Sequence, residues 1–434
     1  MNFISTRSGA PATSLDDALV AGLAPDGGLY VPASIPPMPA LAPQPSLAAT
    51  AQRVLMPWFG GSRLRHHLGA LCADAYTFEA PLRPLSGDGD HVLELFHGPT
   101  AAFKDYAARF LAGALSALRQ DGDTDTEIVV ATSGDTGAAV AGAFHRRPGF
   151  GVTILYPEGR VSPRQAHGLE CWGDNVRTFR VAGHFDDCQR MIKAALGDHD
   201  LRERRRLASA NSISLGRLLP QMAYYAHTAI AFHAEHGRTL GFIIPTGNLG
   251  NACAAVLARR MGLPVGDIVL ACNANDTLPR YFDGADYAPQ TTRATLANAM
   301  DVGTPSNFER LRHWHADDTA LRAALTAVAV DDATIRDTVR AAPGRHGIVP
   351  CPHTATALHA LETLRASGDT RPWAVVATAH PAKFDTVVEP LVGYPVPPPP
   401  ALAECLKRPA RGTPMSADAD ALRDVLLAQE EPVD

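Results

Sequence analysis

Short apolar runs alternate with amphipathic segments along most of the chain. The runs have the length of buried strands, and the segments between them have the apolar spacing of helices that cover a sheet. Strand–helix alternation of this kind predicts an α/β fold in which parallel sheets carry helices on both faces. Strands are predicted at 127–131, 151–156, 176–181, 241–245, 267–273 and 373–377, and helices from Thr136 and over 185–196 and 249–261.

Two proline-rich stretches interrupt this pattern. Residues 32–45 are crowded with proline, which predicts an ordered or semi-rigid loop. Residues 395–400 separate the last predicted strand from a C-terminal tail, in which a short helix is expected over 417–428.

Composition narrows the class of protein. Of the 434 residues, 46% are apolar and 19% are charged, which predicts a soluble globular protein with two or three structural units. The formal net charge of -6 argues against a nucleic-acid partner, and no apolar run is long enough to predict a membrane span. The seven cysteines lie far apart without a C-x-x-C pair, which argues against disulfides and a zinc site and favours the cytoplasm. No metal is expected.

Candidate chemistry is sought where strands end, because ligands of parallel α/β sheets bind there. The loop at 132–137, Thr-Ser-Gly-Asp-Thr-Gly, combines hydroxyls with glycines that let a ligand approach the backbone. N–H groups at the start of the following helix favour an anion such as a carboxylate. The alternative is a turn in which Asp135 or Thr136 only caps the helix.

Two further strand-ending loops could carry chemistry. The loop at 246–251, Thr-Gly-Asn-Leu-Gly-Asn, opens a helix, and its spaced glycines suit a phosphate held by backbone N–H groups. It matches neither the P-loop nor the dinucleotide pattern. After the strand at 373–377, the Thr378 hydroxyl could meet a ring nitrogen. Taken alone, each loop is more often a plain turn, the second one shaped by Pro381.

Lys104 lies among aromatic and small residues in the segment FHGPTAAFKD at 96–105. Such neighbours would desolvate the ammonium group, which lowers the pKa of a lysine and makes its amine a nucleophile. The alternative is a surface lysine that opens a helix. A phosphate cradle, a carboxylate cradle and a desolvated lysine together are what an enzyme needs to hold pyridoxal phosphate and an amino acid.

A set of segments resembles the motifs of the threonine synthase family, in its longer bacterial and fungal form. The resemblance covers nearly the whole chain, and the ordered set is far more specific than any single motif. The segments are GLAPDGGLY at 22–30, FHGPTAAFKD at 96–105, SGDTG at 133–137, NSI at 211–213, SNFER at 306–310, PHTA at 352–355 and AHPAKF at 379–384.

The resemblance implies the fold of the tryptophan-synthase-β group, known as fold type II of the pyridoxal-phosphate enzymes. Two α/β units, one nested within the other, face each other across the cleft that holds pyridoxal 5'-phosphate. An extra N-terminal domain would occupy 1–80, the catalytic region 81–394, and a tail that packs on that region 395–434.

The resemblance also implies roles for single residues. Lys104 would bind the cofactor covalently and act as the catalytic base, Asp135 would lie near the cofactor 3-oxygen, and Thr378 would face the pyridine nitrogen. The expected cofactor contacts are Lys104, Asp135, Gly247, Asn248, Leu249, Gly250, Asn251 and Thr378, and the expected substrate contacts are Thr132, Ser133, Thr136, Asn211 and Ser212.

The implied reaction converts O-phospho-L-homoserine and water to L-threonine and phosphate, through an aldimine with the cofactor, γ-elimination of phosphate and β-addition of water. The substrate phosphate needs a cationic site, for which the sequence leaves several donors unranked. Alternatives are another fold-type-II lyase, such as a phospho-amino-acid lyase or a Ser/Thr dehydratase, and a non-catalytic protein that binds the cofactor. A monomer or dimer is expected. The unranked donors are Arg160, Arg164, Arg217, Arg310 and Lys383.

Three places depart from the family pattern. Leu249 stands where Phe is common, and its side chain is not expected to affect contacts made by backbone N–H groups. Ser214 and Leu215 stand where an Asn-Trp pair is usual, and Cys351 replaces a frequent Asp. The last two departures lie near the expected substrate pocket and bear on specificity.

Overall fold

The N-terminal segment pairs two short antiparallel strands and lays three helices against the rest of the chain. The computed structural model describes residues 1–86, 89–120 and 122–428. The proline-rich stretch is held in place where Met38 N–H donates to Met261 O at 2.7 Å, in keeping with an ordered loop. The elements are β1 (Phe3–Ser5), α1 (Leu15–Ala21), β2 (Tyr30–Pro32), α2 (Leu47–Leu55), the 3₁₀ turns Met56–Phe59 and Arg63–His66, and α3 (Leu68–Ala75).

The chain then begins the larger of its two central sheets. Two strands pair antiparallel, with Leu82 opposite Leu93, and the helix that follows begins at Lys104. The elements are β3 (Leu82–Pro84), β4 (His91–Glu94) and α4 (Lys104–Leu118).

A smaller α/β unit comes next. It is built from β5 (Thr126–Ala131), α5 (Asp135–Phe144), β6 (Phe150–Pro157), α6 (Pro163–Glu170), β7 (Val176–Ala182), α7 (Phe185–Gly197), α8 (His199–Arg204) and β8 (Arg206–Ser209). The strands are all parallel, in the spatial order β7-β6-β5-β8. Every residue of β5 is buried, which fits its central place in a sheet with helices on both faces.

The chain returns to the larger sheet after this unit. The elements are α9 (Leu215–Leu218), the 3₁₀ turn Leu219–Gln221, α10 (Met222–His236), β9 (Leu240–Pro245), α11 (Gly250–Arg260), β10 (Val265–Cys272), α12 (Thr277–Phe282), the 3₁₀ turn Asn298–Met300, α13 (Phe308–Trp314), α14 (Asp318–Ala324), β11 (Thr326–Ala329), α15 (Asp332–His346), α16 (Pro352–Ala366), β12 (Trp373–Ala377), the 3₁₀ turn Pro381–Phe384 and α17 (Asp385–Val392). The sheet order is β11-β10-β9-β12-β4-β3, and within the described strands of this sheet only the edge pair β3–β4 is antiparallel.

The C-terminal tail adds a strand to the smaller sheet. Its elements are α18 (Pro400–Leu406), β13 (Gly412–Ser416) and α19 (Ala419–Leu427). β13 pairs parallel with β7, with Gly412 opposite Thr178. The helix expected at 417–428 is confirmed as α19, whereas β13 was not predicted, because it is a largely exposed edge strand without an apolar run.

The six predicted strands are all confirmed, with ends that differ by at most two residues. The three predicted helices are confirmed as α5, α7 and α11. In the described part of the chain, no helix combines the length and the apolar character needed to cross a bilayer. The α/β architecture predicted from the alternating pattern is therefore correct, and it has two parallel-sheet units.

Four strand ends meet between the two units. β4, β9 and β12 belong to the larger sheet and β5 to the smaller one, and the loop that follows each of them lines one shared cavity. Strand polarity explains this, because parallel strands of a sheet present their carboxyl ends at the same edge.

Candidate active site

Lys104 is the first residue of α4, and the segment before it is hydrogen-bonded to the loop after β12. Phe103 N–H donates to Thr378 O at 2.9 Å, and His380 N–H donates to Ala101 O at 3.0 Å. The Lys104 amine lies 5.4 Å from the centroid of the Phe103 ring, and none of the described residues forms a hydrogen bond or ion pair with it. The structure therefore holds a free amine at the cavity wall.

The 132–137 loop closes on itself between β5 and α5. Thr132 Oγ1 accepts hydrogen bonds from Gly134 N–H and Gly137 N–H, both at 3.0 Å. Gly134 has a φ of 132°, a conformation that a side chain would strain. Asp135 starts the helix, where its carboxylate is favoured by the helix N-terminus, and it pairs with Lys383 Nζ at 2.7 Å.

The 246–251 loop passes close to a backbone segment and opens α11. A Cβ on Gly247 would stand 2.7 Å from Met300 Cα, so only glycine fits there. Leu249 has a φ of 63°, and its side chain packs in the hydrophobic core. Asn251 Oδ1 accepts hydrogen bonds from the hydroxyls of Tyr224 and Tyr225.

The four loops, together with other segments, line a cavity of about 650 Å³ between the two units. This volume suits a small cofactor together with a small substrate. All the residues expected to contact cofactor or substrate line it, namely Lys104, Thr132, Ser133, Asp135, Thr136, Asn211, Ser212, Gly247, Asn248, Leu249, Gly250, Asn251 and Thr378.

Asn248 joins three segments of the cavity wall. Its Nδ2 donates to Ser212 Oγ at 2.7 Å, its Oδ1 accepts from Ser306 N–H at 2.6 Å, and its carbonyl accepts from Asn307 Nδ2 at 2.8 Å. The motifs at 211–213 and 306–310 therefore meet at the 246–251 loop. The Asn248 side chain is committed to these structural contacts.

Burial and neighbouring charges shift the pKa values of three side chains that line the cavity. Burial lowers the pKa of Lys104 to about 8, although the Asp135 carboxylate works against this change. Burial opposes ionisation of Asp135, but the ammonium groups of Lys383 and Lys104 outweigh it and hold the pKa of Asp135 well below its usual value. Burial also lowers the pKa of His353 to about 4, and its Nε2 accepts a hydrogen bond from Ala299 N–H at 3.1 Å.

The structure separates the five cationic residues that the sequence left unranked. Arg160 is exposed and lies outside the cavity. Arg164 pairs with Asp385 and Glu389, and Lys383 pairs with Asp135.

The two fully buried arginines differ from each other. The Arg310 guanidinium is surrounded by acceptors, including Tyr30 O at 2.9 Å and Ile213 O at 2.7 Å, and it ties the N-terminal segment to the cavity wall. Arg217 is 2% exposed and lines the cavity. Its Nη1 donates to Ala210 O at 2.7 Å, and its Nε has no partner among the described residues. Arg217 is therefore the one of these five residues that lines the cavity and keeps an unpaired donor among the described residues.

Two functional features escaped the sequence reasoning. His353 lines the cavity, yet the PHTA motif alone did not assign it a role. The sequence reasoning also did not rank Arg217 above the other four cationic candidates, although a lone arginine in the apolar stretch Leu-Gly-Arg-Leu-Leu at 215–219 is a detectable signal. Cys351, the departure from the usual Asp, accepts from Thr354 N–H at 3.4 Å and so fills the helix-capping position of α16.

Unpaired polar groups of residues that line the cavity fit a phosphorylated aldehyde. Thr246 Oγ1 and Asn251 Nδ2 are buried, belong to residues that line the cavity, and have no hydrogen-bond partner among the described residues. Because unpaired buried polar groups are costly, these atoms are suited to an anionic ligand. The free amine of Lys104 can react with an aldehyde.

Family models match almost the whole chain. A model of pyridoxal-phosphate dependent enzymes matches residues 90–382, a model of the threonine synthase N terminus matches residues 2–76, and a model of the threonine synthase C-terminal region matches residues 354–426. The threonine synthase of Haemophilus influenzae is 37% identical, over 98% of this chain and 100% of the relative.

Solved structures agree with the sequence comparisons. The crystal structure of threonine synthase from Escherichia coli has a TM-score of 0.90 at 35% identity, and covers 99% of this chain and 100% of that chain. The structure of threonine synthase from Brucella melitensis with bound pyridoxal phosphate has a TM-score of 0.90 at 32% identity, over 100% of both chains. The chain therefore belongs to the threonine synthase family of pyridoxal-phosphate-dependent lyases.

Proposed function

We propose that this cavity converts O-phospho-L-homoserine and water to L-threonine and phosphate. One observation carries the proposal. The cavity places the free amine of Lys104 together with two groups that can bind anions, the 246–251 loop with its unpaired polar atoms and the Arg217 guanidinium with its unpaired Nε. A phosphorylated cofactor and a phosphorylated amino acid need such an arrangement.

The proposed cofactor site uses residues from both units. Lys104 would bond to the cofactor, and the N–H groups and open side-chain atoms of the 246–251 loop would hold its phosphate. Thr378 would face the ring nitrogen and Asp135 the 3-oxygen side. Pyridoxal phosphate supplies the electron sink that stabilises negative charge on carbons next to the substrate amine.

Lys104 is the proposed proton carrier of the reaction. Its pKa, lowered to about 8 by burial, leaves an appreciable neutral fraction near neutral pH. A neutral amine at the cavity wall can accept the proton from the substrate Cα, and the resulting ammonium can return a proton to a carbon later. Asp135 nearby favours the ammonium form and so limits how far the pKa falls.

The substrate would be held at both of its anionic ends. The Ser133 and Thr136 hydroxyls and the N-terminus of α5 are placed for its carboxylate. Thr132 would donate only its hydroxyl hydrogen, because its oxygen already accepts from Gly134 and Gly137. Arg217, with Asn211 and Ser212 beside it on the cavity wall, would hold the substrate phosphate.

We also propose the division into 1–80, 81–394 and 395–434. The start of the larger sheet at β3 supports the first boundary, and the pairing of β13 with β7 supports a tail that packs on the catalytic region. The monomeric or dimeric state and the cytoplasmic location stay predictions.

The direct test measures threonine and phosphate released from O-phospho-L-homoserine by the purified holoenzyme. Equal release supports the proposal, whereas phosphate with ammonia and a keto acid would assign a phospho-amino-acid lyase. Cofactor binding without any product would favour a non-catalytic protein.

Lys104→Ala tests the assigned lysine. Turnover should fall by at least about 10⁴-fold, because both the covalent link and the proton carrier are lost. The visible absorbance of the lysine-bound cofactor should also disappear. Lys193→Ala removes an exposed lysine of α7 and should leave both unchanged. Normal turnover in Lys104→Ala would refute the assignment.

A further inference from the structure

The ion pair between Lys383 and Asp135 joins the two α/β units behind the cavity. Asp135 follows β5 of the smaller sheet, and Lys383 follows β12 of the larger one. The pair is 2.7 Å long, and its side chains are 3% and 4% exposed. Asp135 lines the main cavity, whereas Lys383 lies on its far side, beside a small secondary cavity. Asp135 therefore has one ammonium group behind it and, in Lys104, another in front.

Lys383 is held in this position by hydrogen bonds to two segments, the loop before α4 and the start of α6. Its Nζ donates to Thr100 O at 2.8 Å, in the loop that leads to Lys104. Its own carbonyl accepts from Ser162 Oγ at 2.5 Å, at the start of α6. The adjacent Ala382 carbonyl accepts from Arg164 at 2.8 Å. Such anchoring fixes the ammonium on Asp135 and leaves it no freedom to reach a ligand in the cavity.

Without Lys383, the Asp135 carboxylate would have the Lys104 ammonium group as its remaining lysine neighbour. Two opposite charges separated from water attract each other strongly, so a released Asp135 would pair directly with Lys104. A lysine engaged in such a pair keeps its proton and loses nucleophilicity. The observed structure avoids that pairing, because Lys104 has no ion pair among the described residues.

We propose that Lys383 is a positioning residue which neutralises Asp135 from behind the cavity and so keeps the Lys104 amine free to take up the cofactor. This inference rests on the proposed role of Lys104 and deepens it. Lys383 was one of the sequence candidates for the substrate phosphate, and the pairing gives it a different task.

The pKa of the Lys104 amine depends on several charged and titratable groups around it. Asp135 faces it from α5, and Lys383, Arg217 and His353 approach from the 3₁₀ turn after β12, from α9 and from α16. Asp105, its neighbour on α4, is hydrogen-bonded to Thr100 at 2.6 Å. The thiols of Cys351 and Cys405 lie farther out, next to Asp135 and Lys383 respectively. Only substitutions at positions 135 and 383 change the charge of the pair itself.

The experiment labels the Lys104 amine of the full-length chain, freed of cofactor, with acetic anhydride over a series of pH values. Mass spectrometry then gives the pH at which half of the maximal labelling rate is reached. The midpoint for Lys383→Met should rise by about one unit, because the pair then carries a net negative charge. Asp135→Asn should lower the midpoint, because the pair then carries a net positive charge.

Charge-neutral variants provide matched controls. Lys383→Arg and the double variant Lys383→Met with Asp135→Asn should keep the wild-type midpoint. Lys407→Met breaks an exposed lysine–glutamate pair and should also leave it unchanged. If Lys383→Met does not fold, the remaining variants still decide. A midpoint that follows the net charge of positions 135 and 383 supports the proposal, and one that is the same in all folded variants overturns it.

Pyridoxal phosphate added before labelling separates this proposal from the proposed function. Protection of Lys104 shows that Lys104 takes up the cofactor, and absence of protection refutes that role. The midpoint series is measured without cofactor, so its outcome does not depend on the protection result.

Discussion

The two strand-ending loops that carry glycine in this cavity satisfy their own polar groups to different extents. In the 132–137 loop, Thr132 Oγ1 accepts two backbone N–H groups of the loop, and the acidic side chain is paired with Lys383. In the 246–251 loop, the buried atoms Thr246 Oγ1 and Asn251 Nδ2 find no partner among the described residues. We call the 132–137 loop closed, because its Thr132 and Asp135 side chains are paired, and the 246–251 loop open, because two of its buried side-chain atoms are unpaired.

This difference indicates that the two loops bind different anions. Both loops have glycine, hydroxyl and a helix N-terminus, so the sequence pattern alone assigns an anion to each. The 246–251 loop adds two unpaired side-chain atoms to its backbone N–H groups, which suits the dianion of a phosphate monoester. The 132–137 loop offers fewer free donors, which suits a singly charged carboxylate. The substrate phosphate then needs a separate cation, and Arg217 provides it.

Gly247→Ala should distort the open loop and cause the largest loss of cofactor affinity. The new Cβ would stand 2.7 Å from Met300 Cα, a backbone atom that cannot move aside cheaply. We expect the affinity for pyridoxal phosphate to fall at least about 100-fold, as measured by absorbance titration of the chain freed of cofactor.

A glycine in the same loop serves as the control for Gly247→Ala. The nearest atom to a Cβ on Gly250 is Ser212 Cβ, at an ordinary contact distance of 3.5 Å. Gly250→Ala should therefore retain cofactor affinity within a few-fold. Equal loss in both variants would show that the loop as a whole, rather than the close approach at Gly247, limits binding.

Arg217→Met tests whether the substrate phosphate and the cofactor phosphate bind at different sites. The variant should lose about 10- to 100-fold in kcat/KM for O-phospho-L-homoserine, the cost of charge-assisted hydrogen bonds to phosphate. The absorbance of bound cofactor should stay unchanged, because the cofactor phosphate lies at the other loop. Arg160→Met removes an exposed arginine and should change neither quantity. Weaker cofactor binding in Arg217→Met would contradict the division.

Matched threonine substitutions compare the two loops directly. Thr132→Val leaves two loop N–H groups without their acceptor and should lower the free energy of unfolding by about 2 kcal/mol. Thr246→Val removes a buried hydroxyl that has no partner in the described residues and should leave the cofactor-free chain as stable or more so.

Cofactor affinity should show the opposite order for the two threonine variants. Thr246→Val should bind pyridoxal phosphate about 5- to 10-fold more weakly, and Thr132→Val should bind it with nearly wild-type affinity. Urea unfolding and absorbance titration measure the two quantities. If Thr132→Val and Thr246→Val destabilise the chain equally, the contrast between closed and open loops is wrong.

The fold was predictable to the extent that apolar runs mark buried strands. β5, β6, β9 and β12 are short, apolar and buried, and each was placed within one or two residues. β8 and β13 are partly exposed edge strands, and their positions depend on pairing with a neighbour rather than on their own apolar pattern. Such strands are set by tertiary contacts that a single sequence does not display.

The candidate site was predictable from the sequence where backbone N–H groups are expected to bind the ligand. The 132–137 and 246–251 loops are marked by glycine and position, and both line the cavity. The side-chain partners were not predictable, because pairing depends on distance in space. Arg310 was a candidate beside Arg217, and only the acceptors around the Arg310 guanidinium show that its donors are occupied.

The smallest predicted effect concerns the support of the open loop at acid pH. His353 Nε2 accepts from Ala299 N–H at 3.1 Å, in the 3₁₀ turn whose Met300 packs against Gly247. Burial lowers the pKa of His353 from 6.5 to about 4, so the unfolded chain takes up a proton before the folded chain does. The stability from this group is therefore complete above pH 6.5 and is lost as the pH falls toward 4.

His353→Gln tests this support. Between pH 6.5 and 5.5 the wild-type chain should lose about 1 kcal/mol through His353, measured by urea unfolding, and the variant should lose correspondingly less. Burial lowers the pKa of His380 to about 4 as well, so part of the acid loss persists in the variant. His199→Gln replaces an exposed histidine and should keep the wild-type slope. If His353→Gln has that same slope, protonation of His353 is not what weakens the turn behind Gly247, and the open loop must owe its acid sensitivity to other groups.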